Sequence, residues 1–586
     1  MQRIHAVLAG FALLVAVAAP LAAQNTPLDA FRSNIAAIHA RNRAAYLSHY
    51  LQSPSLARVG PGGLALGYES FVRGQTDTWP DTLVATHFDV VPITADVAYG
   101  VYRYRVVTAG GGESDRGVSE RVFVKTPEGW KVAVTTAFST PDAPPPPMAL
   151  VGATLLDGSG ATPLRDAVVV MRDSRIACAG ARQACPVPAD AHSVDARGKW
   201  IIPGLVDAHV HFSQTGWVDG RPDALDLRAQ HPYERVVADL QARPERFFRA
   251  YLCSGVTSVF DVGGYPWTYE LEGRTARSPE APRVRSAGPL LSTVDFWLNL
   301  PGEQQFIHMA DEETVRRAVR AHKARGAAAV KIWYIMRPGV DTALASRLVH
   351  AAGDETRKAG LPLIVHATGL AQAKDAVRAG ATLLVHSVET DTVDAEFLRL
   401  ARERGTFYTP TLTVYDGYLQ VAERRFARER QPLACVDSAT RVKALATDTA
   451  APALRLAPDQ LAERRARAER RLAVTRANLK RVHDAGIPVV LGTDAGNPLT
   501  LHGASVFMEL EAMQAAGLTP MQVLVAATRN GARAMGLDST GTVTAGFVAD
   551  LVVLNADPTG RIANARDIAL VVRRGEVYTR KELEWK

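Results

Sequence analysis

Two histidines two residues apart close an apolar run in Asp207-Ala208-His209-Val210-His211. On a strand, alternate side chains share a face, so His209 and His211 would project together as a chelating pair. A solitary histidine there is ordinarily a hydrogen-bonded core residue, whereas H-x-H at a strand end is a metal-ligand pattern. Later apolar runs end alike, in Val365-His366-Ala367, Val385-His386-Ser387 and Gly492-Thr493-Asp494-Ala495-Gly496. Val330-Lys331-Ile332-Trp333 adds a lysine inside such a run, which is expensive as an ammonium without a partner. Its plain structural reading is an ion pair with Asp494. Imidazoles with a carboxylate suit a divalent ion such as zinc, and such an ion acidifies water and polarises carbonyls. No G-x-S-x-G elbow accompanies these residues, so no serine nucleophile is read.

These side chains must be brought together by the elements around them. Apolar runs at 201–212, 256–262, 283–287, 328–334, 363–367, 382–387, 406–411 and 489–493 alternate with helical stretches. Eight such strands at this length predict an α/β fold with a parallel (β/α)8 barrel over 202–538, whose chemistry sits at the C-terminal strand ends. Short strands at 149–201 and 539–586 flank it and predict a β-sandwich closed by both ends of the domain. Residues 415–482 interrupt the repeat. Their Arg- and Glu-rich stretches read as a charged amphipathic helical pair covering the barrel mouth in preference to an anion-binding arm. Aromatic candidates for the substrate pocket are Trp333 and Tyr334 after the fourth strand, and Tyr408 and Tyr415 around the seventh.

At 586 residues the chain exceeds one ordinary domain. Its composition, 47% hydrophobic and 22% charged, excludes a disordered or polytopic membrane protein. The +7 net charge lies in no single block, so a nucleic-acid partner is not expected. Arg3, an uncharged apolar run from Ala6 to Ala19 and the small residues before Gln24 read as a signal peptide over 1–23, giving a periplasmic or secreted protein with no membrane span after cleavage. Cys178 and Cys185 are close enough in sequence to staple a local loop. Cys253 and Cys435 read as buried thiols or a second pair. Pro144 to Pro147 make a stiff spacer, and 141–148 is read as a linker. Before it, two helices and then alternating strands ending in Gly129-Trp130-Lys131-Val132 resemble the ketosteroid-isomerase-like cone of the SnoaL-like families, over 24–140. The resemblance implies an accessory or homo-dimerising role. An enzymatic pocket there would need a carboxylate such as Asp89, Asp96 or Glu120.

The barrel segment carries a more specific resemblance. Ile202-Pro203-Gly204-Leu205-Val206-Asp207-Ala208-His209-Val210-His211, Ala526-Ala527-Thr528-Arg529-Asn530-Gly531-Ala532 and 541–551 are similar to the amidohydrolase superfamily, in its imidazolonepropionase-like and Xaa-Pro-dipeptidase-like branch. The resemblance implies that His209, His211 and Asp494 hold one divalent ion and His366 and His386 another. Lys331, carboxylated on its ε-nitrogen, would bridge them, a hydroxide shared by the ions would attack a C–N amide, and Asp494 would accept its proton and pass it to the leaving nitrogen. Zinc suits this set; manganese and cobalt fit it too. A His-Gly after the last strand in such relatives makes His502 a candidate for binding a substrate carboxylate or carbonyl. Relatives of the dipeptidase kind have a Gly-rich turn after the lysine, whereas this chain reads Lys331-Ile332-Trp333-Tyr334-Ile335-Met336, which points away from prolyl dipeptides. A dipeptide, an N-acyl amino acid or a cyclic amide stays open as the small-molecule substrate. So do a lactone or ester, and a non-catalytic binding protein on a hydrolase scaffold.

Overall fold

A computed structural model describes residues 26–60, 63–74, 79, 82–107, 113–140, 146–223, 226–295, 304–449 and 456–585. The signal-peptide segment, most of the proline-rich linker and the Gly110-Gly111-Gly112 turn lie outside the described residues. The chain divides into two compact units, Met1–Pro145 and Pro146–Lys586.

In the first unit the helices Pro27–His39, Arg43–Ser48 and Tyr68–Gly74 accompany a seven-stranded sheet. Long antiparallel strands Thr82–Pro92, Val97–Val107, Glu113–Thr126 and Gly129–Thr136 form its body, as the alternation predicts. The sequence reading missed the short pair Ala57–Gly60 and Gly63–Leu66, the first of which runs parallel to Gly129–Thr136. Phe31, Ile35, Tyr50, Phe71, Phe123 and Trp130 build the core between helices and sheet. Arg121 is buried there: its Nη2 donates to the Tyr102 hydroxyl at 3.0 Å, and its guanidinium lies over the Phe31 and Tyr102 rings. Of the three carboxylates weighed as catalytic, Glu120 accepts a hydrogen bond from the Tyr99 hydroxyl.

In the second unit both flanks build one eight-stranded sheet, with Trp200–Pro203 from the N-terminal side pairing Leu551–Leu554 from the C-terminal side. Arg573 locks it: Nη1 donates to both oxygens of Asp550 at 2.9 and 3.0 Å, and Nε donates to the Ala281 carbonyl at 2.7 Å. Both side chains are almost fully excluded from solvent. Removing one partner of a buried pair leaves the other charge uncompensated, so Asp550→Ala should cost this unit about 3–5 kcal/mol. A urea titration checks this; a loss below about 1 kcal/mol would place the pair among surface-like ones.

The expected first strand, 201–212, is two strands in two sheets. It breaks at Gly204, where a Cβ would sit 2.1 Å from Thr257 Oγ1; Leu205–Val210 then joins the parallel set. That set forms a three-stranded sheet, Leu205–Val210 with Val256–Asp261 and Arg283–Ser286, and a six-stranded one. The second contains Val330–Trp333, Leu363–His366, Leu383–Val385 and Phe407–Thr409, as expected, plus the short strands Leu290–Ser292 and Phe306–His308 that were not. Between the two sheets, Ala328 N donates to the Ser286 carbonyl at 2.8 Å. The expected eighth strand, 489–493, makes only isolated parallel bridges, Tyr408 with Val489 and, just beyond it, Val210 with Ala495. Intervening helices are set by local signals. Thr342–Ala359 starts where the Asp341 carboxylate accepts from the Ala343 and Leu344 N–H groups, and stops at Gly360 in the left-handed region.

The insertion contains the helices Val414–Ala422, Ser438–Leu445 and the 27-residue Pro458–Asp484, one more than the expected pair. All four cysteines are bonded. Cys178–Cys185 staples a local loop, and Cys253–Cys435 ties the insertion to the end of the helix Glu245–Cys253.

Candidate metal centre

His209 lies within the Leu205–Val210 strand, Lys331 within Val330–Trp333, and His366 ends Leu363–His366. His211, His386 and Asp494 stand just past the ends of apolar runs. The six side chains converge. Asp494 Oδ1 is 3.0 Å from His211 Nε2 and 3.3 Å from His209 Nε2, and its Oδ2 is 3.8 Å from His386 Nε2. Ring centres of His366 and His386 are 4.3 Å apart, and those of His209 and His386 4.9 Å. One donor atom each from His209, His386 and Asp494 falls within a 4.8 Å span, close enough for a shared ion.

Backbone shape makes this convergence possible. His386 and Asp494 both hold positive φ, 70° and 61°, a conformation that costs a non-glycine residue energy and clusters at functional sites. Gly492 lets the Asp494 segment approach: a Cβ there would stand 2.7 Å from His209 Cβ. Asp494 N then donates to the His209 carbonyl at 2.7 Å. Behind the cluster, buried Asp207 accepts from the Thr493 hydroxyl at 2.6 Å and its N–H at 3.0 Å, stitching the first histidine strand to the aspartate loop.

The electrostatics fit cation ligands. Burial, followed by the Lys331 charge, holds His209 and His366 well below the ordinary imidazole range; burial, followed by His366 and Lys331, does the same for His386. These rings are neutral near pH 7 and offer lone pairs. His211 Nδ1 donates to the Gly263 carbonyl at 2.7 Å, which turns Nε2 toward Asp494, and His386 Nδ1 meets Thr411 Oγ1 at 2.7 Å. Both His209 nitrogens and Asp494 Oδ1 are buried without a hydrogen bond. A fully buried imidazole with no partner is costly, and a coordinated cation would satisfy it. Lys331 does not form the ion pair with Asp494 that its plain reading requires; burial pushes its amine down to about 7. The buried imidazoles and carboxylate present here fit a divalent-metal centre.

Lys331, His211, His366, His386 and Asp494 face a cavity of about 760 Å³. Trp333 and Tyr415 also line it. Of the other expected substrate contacts, Tyr334, Tyr408 and His502 do not. The Tyr334 hydroxyl donates to Asp375 at 3.0 Å, Tyr408 is buried with its hydroxyl receiving the Val388 N–H, and His502 is spent internally. Its Nε2 donates to the Gln214 carbonyl at 2.9 Å, its Nδ1 accepts from the Tyr251 hydroxyl at 2.8 Å, and its ring packs 3.8 Å from Phe247. Burial drives it down to about 3, which fixes it as a neutral structural tie. His502→Ala should therefore lower the melting temperature while leaving KM for any cleaved substrate within about twofold, as expected when only packing and internal hydrogen bonds are lost. A KM change above about tenfold with an unchanged melt would restore it as a substrate contact.

Residues the sequence reading missed complete the wall. Glu389 holds Arg471 at 3.1 Å, and the Arg471 guanidinium stacks 3.9 Å above the Tyr415 ring. The Tyr418 hydroxyl donates to Asn497 at 2.7 Å, and Arg221 pairs with Asp223. Buried Glu509 accepts from the Leu412 and Thr413 N–H groups at 2.8 and 3.0 Å and fixes the turn leading to Tyr415. No local periodicity marks these residues, because they meet only when the insertion folds over the strand ends.

The sequence profile of the Amidohydrolase family matches residues 200–578, a span that contains all six converging side chains. The chain belongs to the amidohydrolase family. It is a hydrolase acting on carbon–nitrogen bonds. Ochratoxinase of Aspergillus niger is 26% identical over 439 residues, covering 69% of this chain and 80% of that one. Imidazolonepropionase of Streptomyces avermitilis is 28% identical, over 72% of this chain and 89% of its own. Among solved structures, a Xaa-Pro dipeptidase with bound methionine shares the fold with a TM-score of 0.56 at 19% identity, covering 74% of this chain and all of that one. The A. niger ochratoxinase structure gives 0.56 at 23% identity, covering 74% and 96%. These neighbours imply an α/β fold of TIM barrel and β-sandwich for the amidohydrolase unit.

Proposed function

We propose that the chain is an exported, metal-dependent amidohydrolase that cleaves a C–N amide bond in a small molecule, with His209, His211, Lys331, His366, His386 and Asp494 as metal ligands. The observation that carries this reading is the buried, hydrogen-bond-free His209 ring 3.3 Å from an Asp494 oxygen that also has no hydrogen bond. His209, His211 and Asp494 would hold one divalent ion, His366 and His386 a second, with carboxylated Lys331 between them. Zinc fits this nitrogen- and oxygen-rich set, and two such ions would supply an acidified water and a polarised carbonyl. Asp494 takes the water's proton at a carboxylate oxygen and returns it to the departing nitrogen. Trp333 and Tyr415 bound the chamber and help exclude bulk water. Parallel bridges from Tyr408 to Val489 and from Val210 to Ala495, with the Ala328 to Ser286 link, support reading the strands as a closed (β/α)8 barrel.

Export is supported by the leading Arg3 and apolar run, and by two formed disulfides, which persist in oxidising compartments. No helix among the described residues is long and apolar enough to cross a membrane. Residues 24–140, with helices followed by an antiparallel-rich sheet among the described ones, are read as a ketosteroid-isomerase-like accessory module that pairs two copies of the chain.

The test is metal analysis of the purified full chain alongside hydrolysis of a panel of dipeptides, N-acyl amino acids and cyclic amides. Two equivalents of metal and amide cleavage abolished by chelation are expected. A metal-free protein that still cleaves amides would overturn the reading. Lys331 adds a pH dependence. Below about 7 its amine is an ammonium and cannot react with carbon dioxide; above that it is neutral and can. Reconstitution of apoprotein with zinc and bicarbonate should accordingly be more complete at about pH 8 than at about pH 6.

A further inference from the structure

The arginines of the helix Pro458–Asp484 are divided between two faces. Gln460, Glu463, Arg464, Arg467, Ala468 and Arg471 line the cavity, at the three- and four-residue spacing of a single helical stripe. Arg465, outside that stripe, pairs with Glu423. Exposure falls along the stripe, from 65% for the Arg467 side chain to 30% for Arg471. The helix therefore runs from the open mouth toward the imidazoles, and Arg464 and Arg471 are separated by about 10 Å of helical rise. Apart from the metal-ligand cluster, the cavity wall carries four guanidiniums, with Arg221, against two carboxylates, Glu389 and Glu463.

Two of the four are committed, Arg471 to Glu389 and Tyr415, and Arg221 to Asp223. Arg467 pairs with Glu463 across one turn of exposed helix, an interaction worth little in water. Arg464 makes no hydrogen bond or ion pair with any described residue. A planar guanidinium offers a fork of donors that matches a carboxylate.

We propose that Arg464 and Arg467 form an anion-recognition face on the inserted helix, which selects substrates carrying a carboxylate at the end that points to the cavity mouth. This rests on the amide-hydrolase reading, since it names the class of amide that the site accepts. The insertion is then more than a solvated cover: its outer face is for water and its inner face for the substrate.

The test compares N-acetylphenylalanine with N-acetylphenylalaninamide, which differ in the carboxylate, by calorimetric titration of the metal-loaded full chain. The acid should bind about tenfold more tightly than the amide. In the Arg464→Gln, Arg467→Gln double variant, with unchanged metal content and melting temperature, that ratio should collapse toward one, and lysine at both positions should restore part of it. A ratio that survives in the glutamine variant would assign the carboxylate to the metal centre and overturn the proposal. So would a wild type with no preference, or one that binds neither compound. Absence of metal and of amide cleavage in the wild type as purified would sink the metal-dependent amidase reading of the site separately, because the affinity ratio still reports on the arginines.

Discussion

Asp494→Asn should keep its metal and lose about 10²–10⁴-fold in kcat, the range ascribed to a positioned acid–base group. The amide retains one oxygen at nearly the same place, so coordination by Oδ1, now 3.0 and 3.3 Å from two imidazoles, can persist. What it cannot do is accept a proton and give it back. The positive φ at this position is one that asparagine tolerates as readily as aspartate, so the loop that presents the side chain should keep its shape. Metal content by mass spectrometry and steady-state kinetics on the same preparation decide it. Near-wild-type turnover with metal verified would remove Asp494 from proton transfer.

Replacing Lys331 has a second large effect, because the side chain is buried without an ion pair and faces the same chamber. Lys331→Ala should bind less metal and lose at least about 10²-fold in turnover, since an incomplete ligand shell both loosens the ions and misplaces them. Small carboxylic acids should recover part of the activity by occupying the vacated bridge. Lys331→Met separates lost chemistry from lost folding. It keeps much of the volume and removes an amine that burial penalises, so the apoprotein should melt no lower than wild-type apoprotein. A full complement of tightly bound metal in Lys331→Ala would contradict the bridging role.

The converging cluster was legible because its members sit in or just past apolar runs, and such runs place their last side chains at a common end of a parallel sheet. His209 and His211 show this most directly: a two-residue spacing at the end of one strand puts both beside Asp494. The eighth strand was harder to read. Its segment bends into the left-handed region at Asp494 and keeps only isolated bridges, so the apolar signal at 489–493 outlasts the ladder. His502 misled because residue type alone does not say whether imidazole nitrogens face a cavity or the interior, and here Gln214 and Tyr251 take both. The rest of the wall, from Glu389 to Arg471, comes from segments about 80 residues apart in the chain and meets only through tertiary packing. Arginine-rich composition in the insertion was visible, but its division into an inner and an outer face depends on where the helix lands.

Anomalous X-ray diffraction from zinc-reconstituted crystals, recorded at the zinc edge, tests the metal centre most directly. Two peaks are predicted, one among His209, His211 and Asp494 and the other beside His366 and His386, with density for a carboxylated Lys331 between them. An active enzyme with no anomalous density among these side chains would contradict the account.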